Sequence, residues 1–278
     1  MIGNLCKSTD KEGGMTDITA LAELKDKPYG STLSLLSFAD STNNYIRRLS
    51  DILPDGHTVI ANEQFSGRGR QGKSFFSPPE DGLYMSVLFK NPRLVNDGLF
   101  TAKISLAVCY AIDRITGTDG NGGVGIKWVN DIYLGSGKLC GILCERLTDK
   151  NGASYVIAGI GVNLYTDRSS MPKDIRGVAC SLFDITRTRY DKYKLCVLIL
   201  EELQKVFELD NGNVIERYKQ RSVVLGREIT VIRAGESVRA AALDICDDGS
   251  LLVRYEDGFT AKLCGGEISI RVNRQGRK

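Results

Sequence analysis

Apolar positions recur along this chain with two different periods, and the change of period marks out its elements. Ile104, Ala107, Val108, Ala111, Ile112 and Ile115 repeat at helical spacing, which predicts a helix over 101–116 laid by one face on a sheet. Cys196, Ile199, Leu200, Leu203, Val206 and Phe207 predict a second helix over about 192–208, and 214–220 continues helically. Short apolar runs at 33–38, 58–61, 83–89 and 155–164 predict strands. The runs 126–134 and 138–145 flank a Gly135-Ser136-Gly137 turn and read as the two strands of a hairpin. After the first strand, Asp40-Ser41-Thr42-Asn43 offers capping side chains ahead of Tyr45, Ile46 and Leu49, so a helix begins near Ser41. An earlier amphipathic piece over 16–25, with Ile18, Leu21, Ala22 and Leu24 on one face, is too short for a helix-turn-helix domain.

The texture changes at Val223. From there short β-rich runs alternate with turn signals at Ala234-Gly235, Asp248-Gly249, Asp257-Gly258 and Gly265-Gly266, as a small all-β barrel requires. The expected class is therefore α+β, a mixed sheet flanked by helices and followed by a small barrel. The divisions are an N-terminal extension over 1–30, a main domain over 31–222, a barrel over 223–272 and a basic tail over 273–278.

Composition narrows the chemistry. The 278 residues are 42% hydrophobic, enough for a sizeable core. With 37 basic and 34 acidic side chains the net charge is only +3, so a broad nucleic-acid-coating face is not expected and any cationic function must be local. No apolar run approaches the ~18 residues of a membrane span, and the start lacks the charged and apolar regions of a leader, which together predict a cytoplasmic protein. Eight cysteines, with no C-x-x-C pair and mostly inside apolar runs, read as buried reduced thiols. The single histidine, His57, excludes a histidine metal cluster and stands where it begins a strand with no chemical task.

The local cation density sits at Gly67-Arg68-Gly69-Arg70-Gln71-Gly72-Lys73-Ser74. Its glycines permit close backbone approach, and Arg68, Arg70 and Lys73 supply forked donors and charge for an anion. The letters fit the G-x-x-x-x-G-K-S phosphate loop, but such a loop must open a helix, and Phe75-Phe76-Ser77-Pro78-Pro79 forbids one. Gly120-Asn121-Gly122-Gly123-Val124-Gly125 similarly fits G-x-G-x-x-G, yet it follows a helix and leads into a strand, so it reads as a turn. Lys127, Asn130, Asp131 and Lys138 are polar residues at the ends of apolar strands, where either a site or a plain turn with solvated lysines accounts for them. Gly159 and Gly161 in the last strand mark either close ligand approach or a bulge.

Six stretches in order resemble the biotin protein ligase family. They are Asp40-Ser41-Thr42-Asn43, Gly67-Arg68-Gly69-Arg70-Gln71-Gly72, Lys127-Trp128-Val129-Asn130-Asp131, Lys138-Leu139-Cys140-Gly141-Ile142-Leu143, Gly159-Ile160-Gly161-Val162-Asn163 and Gly265-Gly266-Glu267-Ile268-Ser269-Ile270-Arg271. The resemblance implies a class II synthetase-like catalytic domain and an SH3-like barrel, and, with about 30 residues before Leu33, the monofunctional kind without a DNA-binding domain. It implies two steps: biotin and MgATP give biotinyl-5′-AMP and pyrophosphate, and a lysine of a biotin carboxyl carrier domain then takes the biotin and releases AMP. Chemistry at the α-phosphorus needs positioning and cationic stabilisation, not an enzyme nucleophile, so one histidine suffices.

By the same resemblance Ser41, Thr42, Asn43, Gln64, Gly67 and Arg68 surround biotin, with Gly141 and Gly159 giving backbone contacts and Lys138 binding the carboxylate and bridging phosphate. Arg68, Arg70, Phe75, Lys127, Asn130, Asp131 and Asn163 face the nucleotide, Arg70, Lys138 and Asp131 being catalytic and Asp131 the base for the incoming lysine. ATP and Mg²⁺ are the expected cofactors, with no Mg²⁺ ligand assigned, and a homodimer is left open. Two positions depart from the family pattern: Phe75 stands where Trp is frequent, losing an indole N–H, and Val129 stands in place of Pro, freeing a backbone φ. A lipoate ligase is expected to carry a different loop, a non-catalytic binder to lose Arg68, Arg70 or Lys138, and an RNA binder to show aromatic platforms absent here.

Overall fold

The computed structural model describes residues 8–9, 15–16, 18–118, 123–233, 236–265 and 267–270. Its main sheet contains β1 (Leu33–Leu36), β2 (Thr58–Ala61), β3 (Gly82–Phe89), β4 (Val124–Lys127), β5 (Asp131–Leu134), β6 (Gly137–Thr148) and β7 (Ser154–Asn163). The spatial order is β1-β2-β3-β7-β6-β5-β4, with β1 and β2 parallel and the remaining neighbours antiparallel, so the sheet is mixed. A parallel pair needs a crossover, and α1 (Thr42–Leu49) supplies it.

Helices α2 (Phe100–Thr116) and α3 (Lys192–Phe207) pack against each other and the sheet, as their apolar periodicity dictates, and α4 (Asn211–Arg221) follows. Ile104, Leu106, Val108, Ile112, Leu195, Ile199 and Leu203 are completely buried, each contributing about 1.5–3 kcal/mol relative to exposure. Helix α2 stops at Gly117, whose φ of +71° closes a left-handed cap onto the Asp113 carbonyl. Helix α3 starts at Asp191, whose carboxylate accepts the Tyr193 and Lys194 N–H groups at 2.7 and 2.8 Å.

The C-terminal strands β8 (Glu228–Arg233), β9 (Glu236–Ile245), β10 (Leu251–Tyr255), β11 (Thr260–Leu263) and β12 (Glu267–Ile270) form a separate antiparallel sheet in the order β11-β10-β9-β8-β12. Gly249 and Gly258 turn at φ +79° and +85°, which explains the two Asp-Gly signals. The Ala234-Gly235 turn, part of the Gly120–Gly125 stretch, part of the N-terminal extension and the basic tail lie outside the described residues. Trp128 Nε1, in the turn after β4, donates to the Gly249 carbonyl at 3.0 Å, and Lys219 of α4 pairs with Asp244 of β9 at 2.8 Å, tying the small sheet to the main domain.

Two local expectations need correction. The predicted hairpin over 126–145 is a three-strand meander: β4 and β5 are separate strands, and Trp128-Val129-Asn130 turns between them. The Trp128–Val129 peptide is cis. The amphipathic piece at the start is a short 3₁₀ segment, Ile18–Leu24, in which Leu24 alone is buried. The described cysteines are free thiols, with Cys109, Cys140, Cys180 and Cys196 buried. His57 is buried between Ser34 Oγ and Thr32 Oγ1, at 3.1 and 3.0 Å from its two ring nitrogens, which leaves it a structural role. No helix among the described residues is long and apolar enough to cross a membrane.

Candidate active site

The cationic loop is a tight hairpin. The Gly69 N–H donates to the Lys73 carbonyl at 2.7 Å, the Phe75 N–H to the Gly67 carbonyl at 2.9 Å, and the Lys73 N–H closes the tip onto the Arg70 carbonyl at 3.1 Å. Gln71 and Gly72 make the reversal with φ of +55° and +75°. The chain then runs extended toward Pro78-Pro79, so the loop opens no helix of its own and the phosphate-loop letters carry no phosphate-loop geometry. Gly67 is required where the hairpin closes: a Cβ there would lie 2.3 Å from the Phe75 carbonyl oxygen. Gly67 therefore builds the loop and does not line the cavity beside it.

That cavity has a volume of about 580 Å³, within the size range of small-molecule sites, and sits between this loop, the start of α1 and strands β5, β6 and β7. One end is a hydrogen-bonded polar floor. Gln64 Oε1 accepts from the Thr42 N–H at 2.9 Å and from Thr42 Oγ1 at 3.2 Å, while Gln64 Nε2 donates to Ser77 Oγ at 2.9 Å. Beneath it the Ser86 hydroxyl lies 2.6 Å from both Thr42 Oγ1 and Asn43 Oδ1. Asn43 Nδ2 donates to Glu145 Oε2 at 2.9 Å and the Leu143 carbonyl at 3.3 Å. The Asn43 amide thus spends its donors on the protein and orients its neighbour Thr42, although it lines the cavity. Ser41 is the α1 N-cap residue and is buried, yet its hydroxyl makes no capping bond. The purely capping reading of Ser41 does not hold, and its side chain lines the cavity.

The other end is charged. Lys138 Nζ pairs with Asp131 Oδ1 at 2.7 Å, and Arg70 Nη1 donates to Asn130 Oδ1 at 2.9 Å while Asn130 Nδ2 holds the Ile142 carbonyl at 2.5 Å. Lys127 Nζ stands 5.6 Å from the Tyr133 ring centroid, and burial, with Asp131 adding to it, pushes the Tyr133 phenol up to about 12. The Asn130-Asp131 turn and the site are thus the same feature: the turn aims both side chains into the cavity.

Between the two ends lies a glycine floor. Gly141 and Gly161, paired across β6 and β7, carry the Phe75 ring: a Cβ on Gly161 would lie 2.5 Å from Phe75 Cε1, and one on Gly141 3.1 Å from Cε2. Gly159 makes room for the Asn43 amide, with a virtual Cβ only 2.3 Å from Oδ1. These glycines answer to close packing and not to a bulge, because the β6–β7 register is unbroken through them.

Of the residues singled out from sequence, Ser41, Thr42, Asn43, Gln64, Arg68 and Arg70 line the cavity, as do Phe75, Lys127, Asn130, Asp131, Lys138, Gly141 and Gly159. Asn163 does not: its buried amide donates to the Cys180 carbonyl at 3.1 Å, anchoring the segment after β7. Sequence reasoning missed Asp174, Ile175 and Val178, which wall one side. Their segment is held by the Lys138 N–H on the Val178 carbonyl at 2.7 Å and the Cys180 N–H on the Lys138 carbonyl at 2.9 Å, a non-local pairing with no periodic signal. Ile268 of β12 also reaches the cavity, so the small sheet supplies part of the wall. Gly161, singled out with Gly159 by their alternation in the strand, lines the cavity as well.

The comparisons agree with this architecture. A model of the biotin/lipoate A/B protein ligase family matches residues 35–163, and a model of the biotin protein ligase C terminal domain matches 224–271. The bifunctional ligase/repressor BirA of Escherichia coli is 29% identical over 247 residues, covering 87% of this chain and 75% of BirA. The biotin--[acetyl-CoA-carboxylase] ligase of Mycobacterium tuberculosis is 27% identical over 223 residues, covering 77% of this chain and 79% of that protein. The solved biotin protein ligase from Aquifex aeolicus in complex with biotin and ATP superposes with a TM-score of 0.72 at 25% identity, covering 86% of this chain and 98% of the other. With the catalytic sheet and the C-terminal sheet both matched, the chain belongs to the biotin protein ligases of the biotin/lipoate A/B protein ligase family.

Proposed function

We propose that this protein activates biotin with ATP and transfers it to a lysine of a biotin carboxyl carrier domain. The single observation that carries the reading is one cavity with two chemically different ends: a neutral hydrogen-bonding floor at Thr42 and Gln64, and a cationic end at Arg70 and Lys138. A ureido head group suits the first, where Gln64 Nε2 and Thr42 Oγ1 are held in fixed orientation. An acyl phosphate suits the second.

In the first step a biotin carboxylate oxygen attacks the α-phosphorus, the bond to the bridging oxygen breaks, and pyrophosphate leaves with that electron pair. Lys138 and Arg70 offset the negative charge gathered on the α-phosphate, and the Asn130 contact holds the Arg70 guanidinium ready for it. Magnesium, when bound, would neutralise charge on the triphosphate; an ion carried in on phosphates needs one or two protein carboxylates, and Asp131 and Asp174 are the carboxylates that line the cavity. Among the described residues no three acidic, histidine or cysteine side chains converge to form a metal cage of their own.

In the second step the carrier lysine amine attacks the acyl carbon, loses a proton, and AMP departs. Lys138 holds Asp131 by Oδ1, and we assign Oδ2 as the proton acceptor. Phe75, seated on Gly141 and Gly161, covers the middle of the cavity and limits water access to the mixed anhydride. The free, mostly buried thiols fit a reducing cytoplasm. Incubation with ATP, Mg²⁺ and either biotin or lipoate, followed by mass detection of AMP-linked product, tests the reading. Biotinyl-AMP is expected, and lipoyl-AMP alone would move the chain to the lipoate branch.

A further inference from the structure

Glu145, in the C-terminal part of β6, belongs to none of the roles assigned so far, yet its carboxylate gathers three partners from two other elements. Oε1 pairs with Arg47 Nη2 of α1 at 2.6 Å and with Arg68 Nη1 of the cationic loop at 3.1 Å, while Oε2 accepts from Asn43 Nδ2 at 2.9 Å. The Glu145 side chain is 14% exposed, against 36% and 38% for the two arginines, so the carboxylate is the fixed member and the guanidiniums come to it. Asn44 Oδ1 adds a further bond to Arg68 at 3.1 Å. Arg68 and Asn43 both line the cavity, at its mouth and on its polar floor, and Glu145 itself does not.

We propose that Glu145 is a positioning residue that tethers the cationic loop to the polar floor, so that loop closure over the adenylate and orientation of the head-group relay are set by one carboxylate. The proposal rests on the biotin ligase reading for its consequence and on geometry alone for the tether. Two guanidiniums share one carboxylate, Arg68 Nη1 donating to Oε2 at 3.4 Å as well as lying 3.1 Å from Oε1. Neutralising Glu145 leaves Arg47 and Arg68 as like charges at close range, bridged by the neutral Asn44 Oδ1, which accepts from them at 3.4 and 3.1 Å and offsets no charge. Arg47 is fixed in a helix, so the loop's Arg68 is the one that moves away. Asn43 is affected differently, because its bond needs only an acceptor, and a glutamine Oε1 serves it as well as a carboxylate.

These two dependencies can be separated by substitution. Glu145→Gln removes the charge and keeps the acceptor: biotinyl-AMP should escape or hydrolyse about fivefold faster, the loss expected for one partly exposed ion pair, with the KM for biotin within about twofold. Glu145→Ala removes both and should raise the biotin KM as well as the leak. Arg68→Gln should leak like Glu145→Gln, and the double variant should leak no more than either single one, since both break the same contact.

The test pairs two measurements. The first is single-turnover loss of adenylate in wild type, the three single variants and Glu145→Gln/Arg68→Gln. The second is hydrogen exchange of residues 67–75 in ligand-free wild type and Glu145→Gln, which reads the tether whatever the cavity binds. Faster exchange in the loop with a non-additive leak supports the proposal. Unchanged loop exchange, or leak factors that multiply in the double variant, overturns it. A wild type that forms no adenylate would overturn the ligase reading instead, and loop exchange would then decide the tether by itself.

Discussion

Gly159→Ala puts the packing of the site to a quantitative test. A Cβ at this position would stand 2.3 Å from Asn43 Oδ1, 3.0 Å from Cγ and 3.1 Å from Nδ2, so the whole amide must move by about 1 Å to reach ordinary contact. It has nowhere to go without loss. Asn43 is 3% exposed, and its amide is fixed by Ser86 at 2.6 Å, Glu145 at 2.9 Å and the Leu143 carbonyl at 3.3 Å. Overpacking costs about 1–3 kcal/mol, and stranding one buried polar partner adds about 1–3 kcal/mol, so a total near 3 kcal/mol is expected. Gly161→Ala is the control. Its Cβ meets the Phe75 ring, the half-buried end of a rotatable side chain that can swing aside, so stability should fall by no more than about 1 kcal/mol while the covering of the cavity is disturbed. Urea unfolding of both variants, with biotin titration alongside, checks the pair. If Gly159→Ala unfolds at the wild-type midpoint and binds biotin normally, the hydrogen-bonded floor is not as rigid as its geometry requires.

Arg70→Ala should leave the unfolding midpoint unchanged and depress biotin-dependent pyrophosphate exchange at least about tenfold, because its guanidinium stands on the loop that lines the cavity and bonds the cavity residue Asn130. Lys138→Ala breaks the pair with Asp131 and should weaken adenylate binding by about 2–5 kcal/mol, measurable by calorimetry with a non-hydrolysable analogue; a normal affinity would remove Lys138 from the site. Burial lowers the His57 pKa below its ordinary 6.5, so the folded state prefers the neutral ring and the unfolded chain takes up the proton first. Stability from this group is therefore present above about pH 6.5 and lost as pH falls through the lower folded value, and a His57→Gln variant should show a flatter midpoint-against-pH curve in that window. Iodoacetamide on the native protein should label the exposed Cys264 well before Cys109 and Cys144, whose thiols burial pushes up to about 12, as peptide mapping would show.

The parts legible in sequence were those whose physics is local. The period of Ile104, Val108, Ala111 and Ile115 specified α2 because that face meets one sheet, and Pro78-Pro79 excluded the phosphate loop because no helix can form there. The meander at β4–β5 was missed because Trp128 and Val129 continue an apolar run and the turn contains no glycine or proline. Capping at Ser41 was the natural reading of Ser-Thr-Asn, yet Gln64 satisfies the Thr42 N–H from 22 residues away. The wall at Asp174, Ile175 and Val178 depends on backbone pairing with Lys138, far off in the chain. Asn163 entered through its motif alone, and its amide serves the Cys180 carbonyl instead. Glu145 carries no local signal in the sequence; its importance follows from where Asn43, Arg47 and Arg68 arrive in three dimensions.

On the proposed reading, one cavity joins a neutral head-group floor to a cationic phosphate end for biotin in particular. The measurement that bears on it most directly is mass spectrometry of the protein incubated with ATP and Mg²⁺ plus biotin or lipoate, followed by addition of a biotin carboxyl carrier domain. Biotinyl-AMP is expected first, then a carrier heavier by one biotinyl group on a single lysine, with AMP released. AMP-linked product from lipoate alone, or from neither acid, would contradict that reading.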